Sequence, residues 1–242
     1  MELRGRVALV TGAGRRLGQA VAVALGAAGA RVAVHHHGSV EGARDTARRI
    51  TEAGGEARLF RADLREAEAP AALVNAVAAE MGGLHVLVNS AAVMERTPIG
   101  SVTPAQWDAM MALNLRAPFF AAQAAAPHMC DGGVIVNVAD LAAYETWPAY
   151  VPHGISKAGV VQLTRAMARA LAPAVRVVGV APGVVLLPEG WDDAVADRLA
   201  ATTPLGRPGT PEDVVRAVLY LLDADYVTGE TLVVDGGRRV RR

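Results

Sequence analysis

The opening of the chain restricts its fold more than any other stretch. An apolar run, Arg6-Val-Ala-Leu-Val-Thr11, leads straight into Thr11-Gly-Ala-Gly-Arg-Arg-Leu-Gly18, and an alanine-rich segment, Gln19 to Ala28, follows and stops at Gly29. An uninterrupted apolar run of this length is the pattern of a parallel strand covered on both faces. The alanines favour helix, and Gly29 stands where a C-terminal glycine ends one. A parallel strand needs a crossover to another parallel strand, so the rest of the chain must alternate. It does. Strands are expected at 31–35, 57–61, 84–89, 134–138, 175–180 and 231–237. Helices are expected at 40–53, 66–81, from Thr103-Pro104 to 127 with Thr103 as N-cap, from either Tyr150 or Pro152 to 171, at 191–201 and at 211–222. This alternation gives an α/β fold, a doubly wound parallel sheet with ligands at the carboxyl ends of its strands.

No Pro/Gly/Ser linker, low-complexity run or fixed-period repeat divides the 242 residues, so residues 1–242 are read as a single domain. With 52% hydrophobic residues and a formal charge of zero, the chain can bury a large core and has no global bias toward nucleic acid or anionic membrane. The arginines near the end, Arg238, Arg239, Arg241 and Arg242, are read as a solvated tail. Cys130 is the one cysteine, which excludes an internal disulfide and fits a reducing compartment. The apolar run before Thr11 is too short for a signal segment, and no stretch approaches the roughly 18 apolar residues that span a membrane. A cytoplasmic protein is expected. The connection 184–210 is long and rich in Pro and Gly, which in a compact domain marks a functional loop; it is read as a substrate lid.

The glycine turn suits an anion. Glycines let backbone approach a pyrophosphate, and the free N–H groups and dipole of the next helix favour its charge. Gly12, Arg15, Arg16, Leu17 and Gly18 are the candidate contacts. Where a protein binding NAD ends its second strand on an acid against the ribose 2′-hydroxyl, this chain has His35, His36, His37, Gly38 and Ser39. With no acid to repel a 2′-phosphate, Arg16, His37 and Ser39 could hold it, so NADPH is favoured over NADH. No metal is expected from the histidines: neighbours in a strand point to opposite faces, and no Cys or carboxylate is spaced to join them.

Of the 24 basic residues, 23 are arginine and one is lysine, Lys157. A guanidinium stays protonated and presents a rigid fork, whereas an ammonium is compact and its pKa can be tuned, so a lone lysine points to chemistry or close polyol binding. His153 stands four residues before it, and Asp140 thirteen before His153, just after the strand at 134–138. This segment resembles the active site of the short-chain dehydrogenase/reductase family, in which a Ser ending the fifth strand precedes by thirteen residues the Tyr of Tyr-x-x-x-Lys. The spacing is kept; Asp140 stands for the Ser and His153 for the Tyr. Asp at that position, and Arg16 in place of the middle glycine of Thr-Gly-x-x-x-Gly-x-Gly, are also marks of the pteridine reductase branch.

The resemblance spans Thr11 to Gly237 and implies a Rossmann-like dinucleotide fold. It implies adenine contacts from Asp63 and Leu64 and a cleft wall at Asn89-Ser-Ala91-Ala. It also implies a backbone contact to the nicotinamide amide from Pro182-Gly183, and an Asn114 that holds a water beside the lysine. Lys157 would bind the nicotinamide ribose and activate the acid, His153 would protonate substrate as hydride arrives, and Asp140 would orient substrate or relay a proton. An imidazolium can serve as such a donor near neutral pH. Tyr150, one turn before His153, is read as a pocket wall. The partners implied are a small-molecule substrate and further copies of the chain in a homotetramer. The substrate would be a pterin or another carbonyl, a 3-oxoacyl thioester among them; Met94 stands where pteridine reductases place a stacking aromatic. A nucleotide-binding protein without turnover is the reading of a different class.

Overall fold

The computed structural model describes residues 1–129, 132–185 and 193–240, with backbone alone for 193–196. Seven strands form one sheet: β1 (Val7–Val10), β2 (Arg31–His36), β3 (Glu56–Arg61), β4 (Val86–Asn89), β5 (Gly133–Val138), β6 (Val175–Pro182) and β7 (Thr231–Val234). Their order is β3-β2-β1-β4-β5-β6-β7, and every neighbouring pair is parallel. The chain runs outward from β1 to β3, then returns to the centre and runs the other way, so the carboxyl ends of β1 and β4 meet at the reversal.

Burial on both faces explains the unbroken apolar runs. β1, β4 and β5 are buried at every position. One layer packs α1 (Arg16–Ala27), α2 (Val40–Glu52) and, from later in the chain, α8 (Pro211–Asp223) around Val10, Leu25, Ile50, Val88, Val136 and Leu221. The other packs α3 (Ala69–Met81), α5 (Ala117–Ala125) and α6 (Val151–Leu171) around Leu9, Val77, Leu87, Ile135 and Val177. α4 (Pro104–Met111) and α7 (Asp193–Ala201) complete the set.

Several boundaries differ from the sequence reading, for physical reasons. α3 starts at Ala69 rather than Glu66 because Pro70 fits a first helical turn. β7 ends at Val234, since Gly236 and Gly237 turn at φ +64° and +87°. The long helix opens at Pro104 with Thr103 as its N-cap, as expected, in a reciprocal box with Gln106, but it is not continuous to 127: the wider π turn Ala112–Arg116 separates α4 from α5. Of the two starts left open for α6, the structure has the one with Pro152 in the first turn and Tyr150 just outside the helix. Cys130, the central part of the lid including Trp191, and Arg241-Arg242 lie outside the described residues.

Candidate active site

The carboxyl ends of β1, β2, β4, β5 and β6 form one cleft, and the side chains expected there reach it in three groups. The first is the glycine turn. Gly12 has φ +67°, and a Cβ on it would lie 2.9 Å from Ala91 Cα, so only glycine brings the turn this close to the end of β4. Gly18 packs as tightly: a Cβ on it would collide with the Gly12 carbonyl. Thr11 locks the contact, its hydroxyl accepting from Ser90 and Ala91 N–H at 2.9 and 3.0 Å. α1 starts beyond the turn with no side-chain cap and no acid in its first turn, leaving its amino end suited to a phosphate. Arg15 and Arg16 are exposed on its rim, and Arg16 occupies the left-handed region at φ +53°, where the family motif has glycine.

The second group lies at β2 and β3. His37 is half exposed and Ser39 stands at the start of α2 against Gly14. Asp63 takes a bidentate hydrogen bond from Arg65 and a 3.6 Å contact from His37 Nε2. The Arg65 bond holds its carboxyl down at about 2. Leu64 is buried beneath it. Among the described residues no three His, Cys, Asp or Glu side chains gather to hold a metal.

The third group carries the reactive side chains. Lys157 is 4% exposed and donates to the Val138 carbonyl at 2.8 Å. Burial pulls its pKa down to about 8, against the pull of the Asp140 charge. His153 is 2% exposed; its Nδ1 lies 3.2 Å from the Val93 carbonyl, and its Nε2 has no hydrogen-bond partner but lies 3.7 Å from Asp140 Oδ2. A carbonyl only accepts, so Nδ1 carries the hydrogen. In the neutral ring Nε2 then turns a lone pair toward a carboxylate; in the imidazolium it turns an N–H. Asp140 is itself fixed by the Ala142 N–H at 2.8 Å.

Asn114 is buried beside His153 and holds Val93. Its amide is committed to protein: Oδ1 accepts from Val93 N–H at 2.9 Å, and Nδ2 donates to Val93 O at 2.9 Å and Ser156 Oγ at 3.0 Å. The Val93 carbonyl therefore faces both Asn114 and His153. Asn89 is also turned inward, donating to Asn137, which donates to Thr164 across the top of β4, β5 and α6. Ala91 abuts Gly12, while Pro182 ends β6 and Gly183 N–H donates to Val234 O at 2.9 Å. Met94 is half exposed beside the cleft, and the Tyr150 ring packs edge-on to Trp147 at 6.4 Å.

Three contacts were not foreseen from sequence. The His35 ring, Thr11 and the Val93 carbonyl all shape the cleft through backbone partners, which no residue pattern announces. The tail is also corrected. Arg238 is only 14% exposed, with its Nε 3.9 Å from Glu145, and the Arg239 guanidinium lies 4.9 Å over the Tyr144 ring. Both arginines touch the loop after Asp140; Arg238 is largely covered there, while Arg239 stays exposed to solvent as expected.

A seven-stranded parallel sheet with a glycine turn at its reversal is a Rossmann-like fold, the class that holds dinucleotides at this edge. Residues 12–239 match the family described as enoyl-(acyl carrier protein) reductase. The chain is 35% identical to 3β-hydroxysteroid dehydrogenase 1 of Eggerthella lenta, over 98% of this chain and 94% of that one. The angucycline C-6 ketoreductase LanV with bound NADP superposes with a TM-score of 0.92 at 33% identity, covering 99% of this chain and 98% of that one. A gluconate 5-dehydrogenase from Burkholderia cenocepacia, in complex with NADP and tartrate, gives a TM-score of 0.91 at 32% identity over 100% and 98% of the two chains. The chain belongs to the short-chain dehydrogenase/reductase family, whose related members are NAD(P)-dependent oxidoreductases. Among the described residues no helix is long and apolar enough to cross a membrane.

Proposed function

We propose that the protein is an NADPH-dependent reductase of a ketone carbonyl, with His153 as the proton donor. The observation that carries this reading is the His153 ring itself: buried, held at Nδ1 by Val93, and offering Nε2 unpartnered beside Asp140. The cofactor supplies a hydride when bound. The turn residues Gly12, Arg15, Leu17 and Gly18 would cradle its pyrophosphate, and Arg16, His37 and Ser39 its 2′-phosphate. Asp63 and Leu64 would meet its adenine, with Ala91, Pro182 and Gly183 along the nicotinamide side and Lys157 at the ribose.

Within this chain the proton path is short. His153 Nε2–H donates to the substrate oxygen as negative charge develops there. The Asp140 carboxylate, 3.7 Å from Nε2, lies beside the ring that gives up the proton and can offset positive charge there. Lys157, positive at neutral pH and desolvated, adds a second positive charge to the same small volume. Asp140 in place of Ser and Arg16 in place of Gly also favour a second reading, a pterin substrate. The half-exposed Met94 where an aromatic would stack supports the ketone first, because a thioether packs on a ring less specifically.

The test is oxidation of NADPH, followed at the nicotinamide absorbance, with a panel of cyclic ketones, 3-oxoacyl thioesters and pterins. Turnover of ketones above the other classes is expected. Turnover of pterins alone would replace the substrate assignment. Tight NADPH binding with no turnover by wild type or His153→Tyr would favour a binding protein instead.

A further inference from the structure

β2 ends in three consecutive histidines, and the proposed cofactor contacts use only His37. His35 is 2% exposed, and its ring lies between the two turns that a bound dinucleotide would span. Its Nδ1 accepts from the Gly12 N–H at 3.1 Å, and its Nε2 lies 3.2 Å from the Ala62 carbonyl. Since Nδ1 must accept, the hydrogen of the neutral ring sits on Nε2, where it donates to Ala62; one tautomer satisfies both sides. Backbone bonds run alongside: Ala13 N–H donates to the His35 carbonyl at 2.8 Å, and Ala62 N–H to the His36 carbonyl at 3.2 Å. Gly12 is the glycine pressed against Ala91, and Ala62 immediately precedes Asp63-Leu64. Burial keeps the ring neutral, its pKa lowered to about 4.

We propose that His35 is a positioning residue that fixes the phosphate turn against the adenine-side turn, and so sets dinucleotide affinity without touching the cofactor. The inference rests on the dinucleotide reading of the cleft. Its mechanism is pre-organisation: a Gly12 N–H left without an acceptor is buried unpaired, and the turn must shift to satisfy it before it can receive a pyrophosphate.

Two substitutions separate the arms of the clamp. An asparagine oxygen falls where the ring has Nδ1, so His35→Asn keeps the Gly12 bond and loses Ala62. A glutamine nitrogen reaches where the ring has Nε2, so His35→Gln keeps Ala62 and loses Gly12. Dissociation constants for NADPH and for NADH are measured by fluorescence titration, and unfolding temperatures on the same samples. His35→Asn is expected to bind within about threefold of wild type, and His35→Gln about tenfold more weakly, while the two unfold at similar temperatures because each keeps one bond. His35→Leu, lacking both, should bind no better than His35→Gln. Equal affinity in His35→Asn and His35→Gln, or affinity that falls only in step with unfolding temperature, would overturn the proposal. Wild type that binds neither nucleotide would overturn the dinucleotide reading itself, a result distinct from a wild type that binds and variants that bind equally well.

Discussion

His153 takes a place that, by the family's spacing, belongs to a phenol, and either group can hand a proton to a substrate oxygen. His153→Tyr should therefore retain turnover, and His153→Ala should lower the rate by about 10²- to 10⁴-fold. Unchanged turnover in His153→Ala would remove the assignment. Lys157 gives a pH signature in stability. Its folded pKa of about 8 lies below the ordinary lysine value, so the unfolded chain holds the proton more tightly. The penalty for burying the ammonium is complete below about pH 8 and disappears as pH rises toward 10.5. Lys157→Met should raise the unfolding temperature at pH 7, by the equivalent of about 1–3 kcal/mol, while abolishing turnover. The gain should vanish by about pH 10.5, and a variant less stable than wild type at pH 7 would contradict this account. Arg16 also has opposed demands: a side chain at φ +53° is strained, yet its charge lies on the phosphate rim. Arg16→Gly is expected to stabilise the fold by up to about 1 kcal/mol and to weaken NADPH about tenfold, leaving NADH little changed. Differential scanning and paired titrations read both signs, and equal weakening of NADH would remove Arg16 from the 2′-phosphate site.

At the scale of elements, strands and most helices follow from periodicity because burial on both faces writes itself as unbroken valine, leucine and isoleucine. What periodicity does not carry is how a helix is wound or what a polar side chain inside it meets. The π turn Ala112–Arg116 has an ordinary helical composition, so Asn114 could be singled out but its grip on Val93 could not. The same blindness affected the tail: Arg238 reads as solvated because the residue its guanidinium approaches, Glu145, is more than ninety residues earlier, as is Tyr144 beneath Arg239. Glu145 N–H in turn donates to the Leu141 carbonyl at 3.0 Å, next to Asp140. The short helical turn Arg238–Val240 thus ties the end of the chain to the loop that presents Asp140. Arg238→Ala is expected to raise the substrate KM severalfold with the NADPH dissociation constant unchanged, since only the substrate side of the cleft depends on that loop. Steady-state kinetics against both reactants checks it. A change in NADPH affinity as large as that in KM would mean that the whole cleft, not the loop, had moved.

For the molecule as a whole, the question is what covers the face made by α4, α5 and α6. Trp107, Phe119, Phe120 and Ile155 are 37–46% exposed, and beside them runs an apolar groove lined by Met111, Leu115, Phe119, Gly159 and Leu163. Phe119 and Phe120 pack edge to face at 5.1 Å, which keeps their rings fixed and their outer surfaces presented. Burying such a face removes apolar area from water at roughly 25 cal/mol per Å², and side chains already ordered lose little further freedom on association. Net charge adds no barrier, because a chain of formal charge zero has no long-range repulsion between copies. A second copy is the natural cover, since a helical face with these residues can meet itself across a two-fold axis. We expect a homotetramer in which this face forms one of the two contacts, and multi-angle light scattering at micromolar concentration should give four times the mass of the 242-residue chain. Phe119→Arg adds a second cation to the groove beside Arg116 and removes one of its rings, and should reduce the assembly to dimers. If wild type runs as a monomer, oligomerisation fails; if Phe119→Arg stays tetrameric, the contacts lie on other faces.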